Sequence, residues 1–233
     1  MPFFDGPSGQ VHYRQWRTAH PRIGVVLLHG LGQQSADYHR FCRFLNRHDI
    51  DVWGLDHLGH GLSEGDFPTD PPMPELATAA LRLITRVRSA NPSLLLALVG
   101  HSLGAGTALI AMESGAPATQ EISTVVLTGT PERAHFLDVP APPVPTLVLH
   151  GQDDRRAPLE PIRTWCADRP TTTFRVFPDT GHDLLHEPAH RAVSEAIVDF
   201  LREPGRPVAR PMRFEHHRPR VTRARQSLTA AAH

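Results

Sequence analysis

Residues 94–104 read Leu-Leu-Leu-Ala-Leu-Val-Gly-His-Ser-Leu-Gly. Six consecutive apolar residues are the pattern of a strand buried on both faces of a parallel sheet. The run ends in Gly100-His101-Ser102-Leu103-Gly104, and a helix-length segment rich in Ala, Leu and Ile follows. A serine between a buried strand and a helix sits on a sharp turn that strains its backbone and exposes its oxygen. Glycines two before and two after it let neighbouring backbones approach. The helix N-terminus adds positive dipole and free N–H groups beside the serine. An ordinary Gly-rich turn with a capping serine carries the same five residues, so the partners decide the reading.

On either side the chain alternates strand and helix. Strands are expected at 11–16, 23–28, 50–55, 122–127, 146–150 and 172–177. Helices are expected at 36–46, 74–88, 158–167 and 191–201, besides the one after Gly104. That alternation predicts an α/β fold with a mostly parallel sheet flanked by helices.

Composition narrows the chemistry. The 233 residues are 40% hydrophobic, enough for one domain with an appendage. All 24 basic residues are Arg. Without Lys there is no Schiff-base chemistry and no phosphate loop ending in Gly-Lys-Ser/Thr. From Arg202 onward eight Arg face only Glu203 and Glu215, and the apolar periodicity stops. Residues 1–203 are therefore expected to form the folded domain, and residues 204–233 a disordered, solvated Arg/Pro-rich tail with no nucleic-acid partner. Cys42 and Cys166 make no disulfide framework. No apolar run approaches the roughly 20 residues of a transmembrane segment, and the first residues lack a basic leader, so a cytoplasmic protein is expected.

Serine at its free pKa is a poor nucleophile and needs a base, which in turn needs an orienting carboxylate. Gly151-Gln152-Asp153-Asp154 follows one expected strand, and Asp179-Thr180-Gly181-His182 follows the next. Both loops fall at carboxyl ends of strands, where such sheets place ligands. Spacing alone leaves Asp153 and Asp154 as rivals. An oxyanion hole needs preset backbone N–H groups; Leu103, after the serine, and Leu31, in His29-Gly30-Leu31-Gly32, are the candidates. Gly30 lets that backbone pass close to a substrate.

Three further blocks carry a resemblance: Leu28-His29-Gly30-Leu31-Gly32, Tyr38-His39, and Asp56-His57-Leu58-Gly59-His60-Gly61-Leu62-Ser63-Glu64-Gly65. With Gly100 to Gly104, Gly151 to Asp154, and the Gly-His-x-x-x-His-Glu of Gly181 to Glu187, the chain resembles the monoacylglycerol lipase and lysophospholipase branch of the α/β-hydrolases over residues 24–200. The resemblance implies Ser102 as nucleophile, Asp154 as acid, His182 as base, and Leu31 with Leu103 as oxyanion donors. It implies hydrolysis of a small-molecule carboxylic ester through an acyl-enzyme, with no metal and no cofactor.

The chain departs from that branch at its cap. Relatives carry several dozen residues of helical lid after the strand matching 122–127, whereas Thr130 and Thr146 here are separated by fifteen residues, five of them Pro. A lid helix does not fit, so an open site is expected. Phe136 and Leu137 are expected as a rudimentary wall, and Leu184, with Leu31 and Leu103, as acyl contacts. His186-Glu187-Pro188-Ala189-His190 matches the zinc pattern His-Glu-x-x-His, but Pro188 opposes the regular helix that chemistry needs. A thioesterase would use the same triad, a proline iminopeptidase would need cap carboxylates, and a non-catalytic scaffold would not react with a fluorophosphonate.

Overall fold

The computed structural model describes residues 1–132, 136–167 and 169–204. Apart from Pro204, the residues expected as a basic tail lie outside the described residues. Eight strands form one sheet in the order β1 (Phe3–Gly6), β2 (Gly9–Trp16), β4 (Ile50–Leu55), β3 (Ile23–Leu28), β5 (Leu95–His101), β6 (Ile122–Thr128), β7 (Thr146–Gly151) and β8 (Thr172–Phe177). The first two pairings in that order are antiparallel; all pairings from β4 to β8 are parallel.

The central strands are apolar throughout because both faces are covered. In β3, Val26 and Leu28 join one core, while Ile23, Val25 and Leu27 join the other. β5 splits the same way, Leu96 and Leu98 against Ala97 and Val99, as the two-residue period of a strand requires. The first core is closed by α2 (Met73–Ala90), α3 (Leu103–Glu113) and α4 (Leu159–Ala167), and the second by α1 (His39–Asn46) and α5 (His190–Arg202). Pro74 opens α2, where its missing N–H costs nothing. Truncating a fully buried side chain here, such as Leu98→Ala, would cost about 2–5 kcal/mol.

The topology places the site. β3 has β4 on one side and β5 on the other, so chain direction through the sheet reverses there. The carboxyl edge at such a switch point opens a crevice. Leu28 pairs with Gly100, so the loops carrying Gly30–Leu31 and Ser102 leave the sheet side by side. Gly151 pairs with Phe177, which does the same for the Asp154 and His182 loops.

Candidate active site

Ser102 caps α3 with φ 52° and ψ −113°, a positive φ that a non-glycine residue rarely adopts. The turn closes only because its flanks lack side chains. A Cβ on Gly100 would strike the carbonyl of Gly104, and one on Gly104 would strike the carbonyl of Leu28. The Ser102 N–H is held by the Thr128 carbonyl at 2.9 Å. Leu103 opens α3, so its N–H is one of the first-turn donors without an intrahelical acceptor.

Ser102 Oγ lies 2.9 Å from His182 Nε2, and His182 Nδ1 lies 2.7 Å from Asp154 Oδ2. The other carboxylate oxygen accepts the N–H groups of Arg156 and Ala157, each at 2.8 Å. Burial pushes the Asp154 carboxyl up, but the bonds from His182 and from those N–H groups outweigh it and hold it below the ordinary value. A carboxylate facing Nδ1 fixes the tautomer that leaves Nε2 free to take the serine proton. His150 lies wholly buried beneath, with Nε2 donating to the Ala157 carbonyl at 2.8 Å. Asp153 is exposed, and its contribution is a backbone N–H to the Thr180 carbonyl.

The zinc-like pattern has another use. His186 and Glu187 lie in turns ahead of α5, and Glu187 accepts the N–H groups of Gly181 and Asp183. Those residues flank His182, so the glutamate clamps the loop that presents the imidazole. His101, fully buried between His182 and Asp183, is pushed by burial and by His182 down to about 3 and stays neutral.

A cavity of about 610 Å³ opens over Ser102. Gly30, Leu31, Leu103 and Phe136 line it, together with Thr69, Asp70 and Pro71 ahead of α2 and Met73, its first residue. The Phe136 ring fills the space a side chain on Gly106 would need, so that glycine seats the wall. Leu137 is partly buried against the core and does not line the cavity. Leu184 corrects an expectation: it is fully buried in the core under α5, among residues such as Val193 and Ile197, because the tight turn after His182 points it inward. The wall at 69–73 and the polar groups Gln33, Arg156 and Asp183 had no periodicity or motif to announce them.

Among the described residues no helix is long and apolar enough to cross a membrane. The human monoglyceride lipase is 29% identical over 153 residues, 64% of this chain and 50% of that protein. The monoacylglycerol lipase of Mycolicibacterium smegmatis is 31% identical over 134 residues, 57% of this chain and 47% of that protein. The chain thus spans about half the length of the curated relatives it matches. Among solved structures, ferulic-acid-bound Est1E from Butyrivibrio proteoclasticus superposes with a TM-score of 0.77 at 17% identity, covering 88% of this chain and 99% of that one. The monoacylglycerol lipase of Paleococcus ferrophilus gives 0.67 at 20% identity, over 82% and 98%; at such identities the likeness is one of fold. The family model described as serine aminopeptidase, S33, matches residues 19–142, which include Leu31 and Ser102 but stop short of Asp154 and His182. That match covers more than half of the sequence, and the chain belongs to this family of α/β serine hydrolases.

Proposed function

We propose that the chain, through a catalytic unit within residues 1–203, hydrolyses carboxylic esters by way of an acyl-enzyme on Ser102. The observation that carries this is the continuous contact Ser102 Oγ to His182 Nε2 to Asp154 on a positive-φ turn at the floor of a cavity. His182 takes the serine proton as Oγ attacks the carbonyl, and the Leu31 and Leu103 N–H groups receive the oxyanion. His182 then protonates the departing alcohol. Water, activated by the same imidazole, attacks the acyl-serine and releases the acid.

The cavity favours short- to medium-chain esters, including monoacylglycerols and lysophospholipids, over bulky lipids. Its volume is that of a small-molecule site, and each extra buried CH₂ contributes only about 0.8 kcal/mol. Amide cleavage from a free N-terminus would need carboxylates for the substrate amine. Of the two among the described residues that line the cavity, Asp183 is already bonded to His186 and Gln33, which leaves Asp70 alone. The test is turnover of matched aryl esters, thioesters and aminoacyl anilides of graded chain length. Oxygen esters of short to medium length are expected to lead, and Ser102→Ala to lose about a million-fold in kcat while keeping its fold. A folded Ser102→Ala that retains activity would overturn the assignment.

A further inference from the structure

One glutamine amide joins the two loops on which this reaction depends. Gln33, half-buried at the cavity wall, accepts through Oε1 the Gly30 N–H at 2.9 Å and the Tyr38 hydroxyl at 2.6 Å. Its Nε2 donates to Asp183 Oδ2 at 3.2 Å. Gly30 immediately precedes Leu31, the proposed oxyanion donor, and Asp183 immediately follows His182, the proposed base. The amide therefore ties the loop after β3 to the loop after β8, which are 150 residues apart.

Each end of this tie is itself fixed. Tyr38 is wholly buried, and burial together with nearby Asp183 pushes its hydroxyl well up, so it stays a donor. The second oxygen of Asp183 faces His186 Nδ1 at 2.7 Å, and His186 Nε2 faces the Asp37 carbonyl at 3.0 Å. Both of those partners only accept, so both bonds form when His186 carries a proton on each nitrogen. His101 Nε2 lies 3.6 Å from the same Asp183 oxygen. The position thus demands two acceptances on one atom and a donation from the other, which a primary amide supplies and a carboxylate, alkyl group or hydroxyl does not.

We propose that Gln33 is a positioning residue whose amide sets the separation between the Leu31 N–H and the His182 imidazole, so that oxyanion donor and base engage the same carbonyl. The inference rests on the esterase reading above and adds to it the element that holds the two half-sites in register. Misplacement of reacting groups by about 1 Å costs on the order of 10²-fold in rate. Gln33→Ala is therefore expected to lower kcat by about 10- to 100-fold with KM nearly unchanged.

Gln33→Glu separates positioning from mere packing. While its new carboxyl is protonated, this variant keeps one oxygen for Gly30 and Tyr38 and donates its O–H to Asp183. Once ionised, the same carboxylate has no donor and repels Asp183. The groups facing it are Asp183, Tyr38 and the Gly30 N–H, with His101, His182 and His186 behind Asp183 and Arg40 beyond His186. Activity of Gln33→Glu relative to wild type should be highest at acid pH and fall as pH rises, a limb that wild type lacks.

The experiment measures kcat and KM of a soluble aryl ester across pH for the full chain, Gln33→Ala and Gln33→Glu, with thermal unfolding of each as a control. A pH-dependent ratio for Gln33→Glu, with a loss confined to kcat in Gln33→Ala, is the expected result. Wild-type activity with a Gln33→Glu profile parallel to it overturns this inference alone, even if Gln33→Ala fails to fold. Absence of ester turnover in the folded wild type overturns the esterase reading and this inference with it.

Discussion

Two groups of histidines stand at the carboxyl edge of the sheet, and they are built on opposite principles. His182 and His186 each face a carboxylate, Asp154 and Asp183, at 2.7 Å. His29, His57 and His60 instead pack on one another, with ring centroids 4.5–6.3 Å apart. His29 Nδ1 donates to the Gly30 carbonyl and its Nε2 accepts the His57 N–H, which fixes a neutral tautomer. Burial pushes His29 down to about 4 and His57 well below its ordinary value. His186 is held toward its charged form, whereas the His29–His57 pair is held neutral beside the loop after β3. A carboxylate facing an imidazole favours its charged form, and burial among other imidazoles favours the neutral one.

Breaking that pairing at its most sensitive point should give the largest effect. Asp154→Asn is expected to lower kcat by about 10⁴-fold, since the imidazole loses both its tautomer control and its countercharge. Asp153→Asn, exposed and one residue away, should stay within about threefold of wild type. Steady-state kinetics on one ester checks both, and a larger loss at Asp153 would contradict the geometry.

The His29–His57 pair should reveal itself in acid. A histidine with a depressed folded value binds its proton more readily unfolded, so its stabilisation is complete above about 6.5 and is lost as pH falls toward the folded value. For His29, titrating near 4 in the fold, the loss amounts to about 3 kcal/mol over that interval. Urea unfolding between pH 6.5 and 5, above the carboxylate range, should show falling stability. His29→Gln should flatten the slope; an unchanged slope would show that the His29 ring is already protonated or solvated.

His186 should give a smaller effect of opposite sign. The Asp183 hydrogen bond raises His186, with burial and Arg40 opposing and the Asp37 carbonyl assisting. Its contribution is present below 6.5 and is lost as pH rises through the raised value. His186 is partly exposed, so less than about 1 kcal/mol is at stake. Unfolding curves for wild type and His186→Gln should converge above that value and separate below it, and separation at high pH would reverse the sign.

The division between what could and could not be foreseen follows the same physics. β3 and β5 were legible because a strand covered on both faces has to be apolar at every position, and Ser102 because its turn excludes side chains at Gly100 and Gly104. β1 left no signal, since Phe4 is its one buried residue. Helix 36–46 resolves into a 3₁₀ turn, Ser35–Tyr38, followed by α1, because the turn seats Ser35 on Asp56. Asp153 and Asp154 differ only in which side of a loop they face. Leu184 reads as an acyl contact by proximity to His182, yet a turn carries no period to say which way it points. The cavity wall at 69–73 and the Gln33 tie depend on contacts between distant segments, which no local pattern records.

On the proposed mechanism, Ser102 is the residue that becomes acylated, driven by His182. This is tested most directly by treating the folded chain with a fluorophosphonate, locating the adduct by peptide mass, and comparing rates in His182→Ala. A single adduct on Ser102 is expected, formed far more slowly without the imidazole. An adduct elsewhere, or equal labelling in His182→Ala, would contradict it.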